Sequence, residues 1–129
     1  MSIVNFKREI SASMDQAIER VTQALQKEGF GILTRIDFHT KIKEKLNKEI
    51  PQTVILGACN PQLAYDAFVQ NTDVASLLPC NAVMRTTDNG KISVEIVKPT
   101  ALMEVLGDKM LIALAEGADQ RLQNALERI

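Results

Sequence analysis

Apolar positions along the chain change period from segment to segment, and each period predicts an element. Ile3 to Glu9 carries β-formers with imperfect alternation and predicts a first strand. Ser13 followed by Gln16 makes a capping box, and Met14, Ile18, Val21 and Leu25, with Ala17 and Ala24 between them, recur at helical spacing. Gly29 ends that helix where a left-handed residue is favoured. Phe30 to Phe38 alternates as a second strand, with Phe30, Ile32, Thr34 and Ile36 expected on one face and Leu33, Arg35 and Asp37 on the other. Thr40 to Glu49 is charged, with Ile42 and Leu46 as a thin apolar stripe and Glu44 four before Lys48, which predicts a short solvated helix.

The second half is more sharply punctuated. Thr53 to Cys59 is almost continuously apolar, the pattern of a central strand covered on both faces. Asn60-Pro61 starts a helix, Asn as cap and Pro at the first helical position, with Leu63, Ala64, Ala67 and Phe68 expected inward and a break around Asn71 to Asp73. Cys80 to Thr86 and Lys91 to Val97 flank Asp88-Asn89-Gly90, a hairpin signal. Pro99-Thr100 opens a short helix ending at Gly107. Asp108 caps a long last helix with Leu111, Leu114, Ala115, Ala118, Leu122, Ala125, Leu126 and Ile129 on its buried stripe.

These elements predict one domain over residues 1–129. The expected class is α+β: two layers, a mainly antiparallel five-stranded sheet with helices packed on one face. The second sheet face mixes Leu33, Ile55, Val83 and Val97 with Arg35, Asp37, Arg85 and Glu95. A face that apolar is expected to be covered, either by a ligand or by a second copy in a homodimer.

Composition narrows the partners. With 46% apolar and 24% charged residues among 129, the chain has globular rather than disordered composition. A net charge of −1, from 15 basic and 16 acidic side chains, lacks the basic surplus of a nucleic-acid binder. No apolar run reaches the ~18 residues that span a bilayer, so no membrane association is expected. Met1-Ser2-Ile3-Val4-Asn5 does not read as a secretory signal, so the expected compartment is the cytoplasm, with both cysteines reduced.

Chemistry concentrates around those two cysteines. Cys59 ends a buried strand just before the helix start at Asn60-Pro61, where free N–H groups and the helix dipole favour a thiolate or a bound anion. Cys80 opens the next strand. If the broken helix between them returns the chain to the same end, the two strands are antiparallel and the sulfurs come close; a plain parallel crossover would separate them. The break favours the first arrangement. Both cysteines also suit simple burial as small hydrophobes. The single histidine, His39, stands where the second strand ends, as a ligand, a proton carrier or a surface residue. Zinc wants four ligands, and two cysteines, His39 and Asp37 are a poor supply. The chain has no Cys-x-x-Cys, phosphate loop, dinucleotide-binding Gly-x-Gly-x-x-Gly, Gly-x-Ser-x-Gly or His-Glu-x-x-His motif.

Ile55-Leu56-Gly57-Ala58-Cys59-Asn60-Pro61 and Leu77-Leu78-Pro79-Cys80-Asn81-Ala82-Val83 together resemble the family catalogued as domain of unknown function 302. The likeness runs from about Ala17 to Pro99, including Arg35-Ile36-Asp37-Phe38 and Val97-Lys98-Pro99; Lys98 departs from an acidic residue commoner in that family. The resemblance implies a β-α-β(4)-α sheet fold akin to the TATA-binding-protein-like architecture and a homodimer. It marks Cys59, Asn60, Pro61, Cys80 and Asn81 as motif positions and implies no activity.

Three readings stand at this stage. In the first, a small homodimeric binding module holds a small anionic molecule or a soft metal near Cys59, Asn60, Cys80, Asn81 and His39. In the second, both cysteines merely pack, in a structural or interaction protein. The third is a thiol-dependent enzyme with Cys59 as nucleophile.

Overall fold

The computed structural model describes residues 2–129. The elements follow in the order β1 (Asn5–Ile10), α1 (Met14–Lys27), β2 (Gly31–Asp37), α2 (Phe38–Leu46), β3 (Thr53–Cys59), α3 (Pro61–Gln70), a 3₁₀ segment (Thr72–Leu77), β4 (Cys80–Thr86), β5 (Ile92–Val97), α4 (Pro99–Leu106) and α5 (Lys109–Arg128). The five strands form one sheet in the order β1-β5-β4-β3-β2, and every neighbouring pair is antiparallel. This is the two-layer α+β arrangement that the periodicities predict.

Local signals set most boundaries. Ser13 Oγ accepts the Gln16 N–H, and Gln16 returns the bond to the Ser13 N–H, so both ends of the capping box are made. The β4–β5 hairpin turns through Gly90, whose φ of +77° only glycine adopts without strain. Asp108 caps α5 by accepting from Met110 and Leu111.

One face of the sheet carries the core. Val54, Leu56 and Ala58 of β3, Ala82 and Met84 of β4 and Ile92, Val94 and Ile96 of β5 are buried against Val21 and Leu25 of α1 and Leu122 and Leu126 of α5. A second, smaller cluster of Val74, Met103, Leu111 and Ala115 joins the 3₁₀ segment, α4 and α5. Arg8 ties α5 to β1 by donating Nη1 to the carbonyls of Leu126 and Glu127, both at 2.9 Å. Glu28 at the end of α1 holds Arg128 of α5 at 2.8 Å.

Two sequence expectations need correction. The β2 pairing slips between Ile32 and Thr34, leaving Leu33 as a bulge. An extra residue reverses the facing of everything after it. Arg35 and Asp37 therefore pair with Leu56 and Val54, toward the helix-covered side, where they form an ion pair at 2.9 Å. Thr34 and Ile36 take the open side. The second correction concerns Phe68, which points outward at 46% exposure, because α3 covers the rim of the sheet rather than its centre and buries none of its residues.

On the open face, residues align in rows across the strands. Ile36, Ile55, Val83, Glu95 and Lys7 form one; Thr34, Gly57, Asn81, Val97 and Asn5 form the next. Gly57 is tightly used: a Cβ there would stand 2.7 Å from Pro79 Cγ and would also collide with the Thr34 hydroxyl. Gly57→Ala is expected to destabilise the fold by roughly 1–3 kcal/mol through overpacking. Urea unfolding measures this; a loss below ~0.5 kcal/mol would contradict the packing described.

Candidate functional site

The candidate site forms where β3 ends and β4 begins. At the end of β3, Asn60 leaves the strand with extended backbone and caps α3: its Oδ1 accepts the Leu63 N–H at 3.1 Å, and its carbonyl accepts the Ala64 N–H at 2.9 Å. Pro61 at the first helical position gives up no bond. Asn71 then stops α3, its side chain caps the 3₁₀ segment by accepting the Asp73 N–H at 3.0 Å, and the chain returns to the same rim as β4.

The return is antiparallel, and its register puts Cys80 opposite Ala58 and Asn81 opposite Gly57. Cys59 is therefore one step from the Cys80 position, on the adjacent strand. Pleating sends neighbouring positions to opposite sides, so Cys80 faces the helices with Ala58 while Cys59 and Asn81 take the other side of the sheet. Side chains diverging in this way do not have disulfide geometry. Both cysteines are free thiols and both border the cavity described below.

His39 is elsewhere. Its Nδ1 accepts the Thr53 N–H at 3.0 Å, at the opposite end of β3 from Cys59. Six residues of strand at ~3.3 Å each put about 20 Å between the two ends. The structure thus brings Cys59, Asn60 and Cys80 together, turns Asn81 to the open face and leaves His39 as the residue that joins α2 to β3. Among the described residues, no group of three or more His, Cys, Asp or Glu side chains could hold a metal ion.

Between the rim and the helices lies a cavity of about 60 Å³. Cys80, Ala58 and Asn60 form its floor; Ala64 and Ala67 of α3, Met103 of α4 and Ala115 and Ala118 of α5 are among its walls. Its lining is overwhelmingly apolar. Where α3 and α5 face one another the lining residues are the alanines Ala64, Ala67, Ala115 and Ala118, and longer side chains such as Phe30, Leu63, Met103 and Leu111 complete the wall.

The electrostatics differ from what a helix N-terminus alone suggests. Burial pushes the Cys59 thiol up. Cys80 is pushed up to about 11, by burial first and then by the negative charges of a Cys59 thiolate and of Asp119. Both shifts favour the protonated thiol, the direction opposite to the one that the dipole of α3 was expected to give. Asp119 is a residue that the periodicity of α5 did not single out. Its Oδ1 accepts the Thr100 N–H at 3.1 Å and its Oδ2 the Thr100 hydroxyl at 2.6 Å, so it caps α4 from the neighbouring helix. The available signal was the start of α4 itself: Lys98 at the cap position makes no side-chain cap bond, and the first turn had to be satisfied from outside.

Cys80 links the site to stability. Below pH 9.0, the ordinary thiol value, folded and unfolded chains both keep its proton. Between pH 9.0 and about 11 the unfolded chain releases that proton while the folded chain retains it, so stability falls across this window. The total loss is about 2–3 kcal/mol. Denaturation midpoints between pH 8 and 11 measure it, and Cys80→Ala is expected to flatten the decline; an equal decline in that variant would assign it to other groups.

Residues 6–129 match the family model described as Domain of unknown function DUF302. The crystal structure of the uncharacterized conserved protein DUF302 from Bacillus stearothermophilus is similar at 31% identity and a TM-score of 0.92, with 98% of each chain covered. No curated protein matches the chain. A match over nearly the whole length, joined to one fold from end to end, establishes that this chain belongs to the DUF302 family.

Proposed function

We propose that this chain is a homodimeric binding module whose site is the cavity beside Cys80 and Asn60, and that it takes a small ligand with an apolar body. The observation that carries this reading is the cavity itself. Interiors pack closely, and unfilled apolar space of this kind costs stability. At about 60 Å³ it matches a few heavy atoms rather than a cofactor. The Cys80 thiol, which burial holds in its protonated form, and Met103 make its wall soft and polarizable rather than charged. A soft-metal version has less support, since its two thiols would have to approach from opposite sides of the pleat. So has a thiol enzyme, since burial shifts both thiols toward the protonated form.

The dimer is supported by the open sheet face. Ile36, Ile55 and Val83 make an apolar row beside Arg85 and Glu95, whose ion pair is 2.6 Å long, and Ser93 also donates to Glu95 at 2.9 Å. Burial pushes the Glu95 carboxyl up, but hydrogen bonds from Arg85 and Ser93 and the charges of Arg85 and Lys7 outweigh it and leave it below its ordinary value. Covering this pair costs desolvation, mostly of the half-exposed Arg85, and the bonds that Glu95 already accepts offset part of that cost.

Two measurements test these points. Chemical-shift titration with 1-butanol is expected to perturb Ala64, Ala67, Cys80 and Met103, and Ala67→Leu, which fills the space, is expected to weaken binding at least tenfold without lowering the unfolding midpoint. Undiminished binding in Ala67→Leu would move the site elsewhere. Analytical ultracentrifugation is expected to give a dimer for the native chain and a monomer for Val83→Lys, which puts a charge in the middle of the apolar row. A native monomer, or a dimer that survives the substitution, would remove the open face from the interface.

A further inference from the structure

The walls of the cavity differ in how firmly they are held. Its floor belongs to the sheet, where Ala58 pairs with Cys80 in the register of β3 and β4. α5 is fastened through Leu122, Ala125 and Leu126 in the main core, by the two bonds from Arg8 and by the Glu28–Arg128 ion pair. α4 buries Pro99 and Met103, and Asp119 accepts both bonds from Thr100 at its start. α3 is held far less. None of its ten residues is buried, and the ones that line the cavity are Leu63, Ala64 and Ala67. Tyr65, Phe68 and Val69 on its outer side are exposed, so outward movement displaces only water.

The chain is firm again on either side of α3. Asn60 before it and Asn71 after it both have extended backbone, the positions at which a helix can pivot. Ala58, two residues before Asn60, is a paired core residue of β3, and Val74, three residues after Asn71, is fully buried in the cluster with Met103, Leu111 and Ala115. One lateral polar tie joins the far end of α3 to a fixed wall. Asp108 at the start of α5 accepts from the Leu111 and Met110 N–H groups, and the side chains of Gln70 and Asn71 also donate to its carboxylate. Both backbone bonds go to Oδ1, which leaves Oδ2 to the two amides.

We propose that α3 is a hinged cover over the cavity, which detaches between Asn60 and Asn71 to admit a guest and is latched at its far end by Asp108. This rests on the cavity reading above and adds how that site is gated. A wall with few buried apolar contacts is the one that opens at least cost, and the sheet, α4 and α5 are all more deeply anchored. Ten residues are too few for a helix to persist in water once detached, so opening exposes the amides of α3 to exchange. A guest that touches Ala64 and Ala67 does so only with α3 in place, and its binding therefore favours the closed position.

Native-state hydrogen exchange, resolved by residue, tests the cover before any guest is added. The amides from Tyr65 to Val69 are expected to be about a hundredfold less protected than those from Ala115 to Leu122 at the centre of α5. Asp108→Asn keeps the cap of α5, since asparagine caps as well as aspartate, but removes the carboxylate from the latch. It is expected to speed exchange in α3 about fivefold and leave the centre of α5 unchanged, and Gln70→Ala to act in the same direction. Saturation with 1-butanol is expected to slow exchange in α3 about tenfold. Equal protection in α3 and α5 would overturn the cover, and indifference of α3 to both variants would overturn the latch. Binding of 1-butanol without slower exchange in α3 would overturn the gating while the cavity reading stands. Failure of 1-butanol to bind would overturn the cavity reading, and the gating with it, whatever the exchange rates.

Discussion

The arrangement of the molecule's rim depends on one pairing, Ala58 of β3 against Cys80 of β4. Antiparallel neighbours joined by a tight turn need only a few residues. Here the connection runs from Asn60 to Pro79 and contains α3 and the 3₁₀ segment, yet it starts and ends at the same rim. A segment that must climb away from the sheet and come back cannot lie flat across it, so α3 buries none of its residues. The helix is capped at its ends by Asn60 and Asn71, and its inner face packs through Leu63 on the main core and Ala67 on the cluster of Met103, Leu111 and Ala115. The cavity opens between these contacts, with Ala64 and Ala67 on its wall. Tight pairing below and loose covering above have a common cause.

The parts of this fold that were legible in the sequence are those decided within a few residues. The Ser13–Gln16 capping box, the turn at Gly90, the Asn60-Pro61 helix start and the break after Gln70 need only local backbone chemistry, and the structure contains each of them. Antiparallel return of β4 followed from that break. What escaped was decided by partners distant in sequence. The bulge at Leu33 arises from pairing to β3, and nothing within Gly31 to Asp37 announces it. Phe68 looks inward on a helical wheel, but a wheel does not say whether anything stands opposite. The capping of α4 by Asp119 spans nineteen positions, and Asp119 sits on a helix whose apolar stripe drew the eye elsewhere.

For the site, the motif positions were legible and their roles were not. Adjacent cysteines at one rim invite the idea of a shared pair, yet the one-residue offset between Cys59 and the partner of Cys80 turns the side chains to opposite sides of the pleat. The helix dipole argued for an ionised thiol, yet desolvation dominates at both sulfurs and the nearest fixed charge to act on Cys80, Asp119, has the wrong sign. His39 stood near the motif in reading order and lies at the other end of β3.

Charge along α5 gives the rim a polarity that neither cysteine supplies. Asp119 is fully engaged at the start of α4, where two donors from Thr100 hold its carboxylate, so its charge is fixed in place rather than free to pair with an incoming cation. Arg121, on another side of the same helix, joins no ion pair among the described residues and stands near the Asn60 side chain across Gly29. One helix thus carries an acid bonded to the start of α4 and, two residues on, a base beside the start of α3. Its cavity-lining positions, Leu111, Leu114, Ala115 and Ala118, are apolar, so the charges of α5 stay outside a wall that favours buried carbon over buried charge.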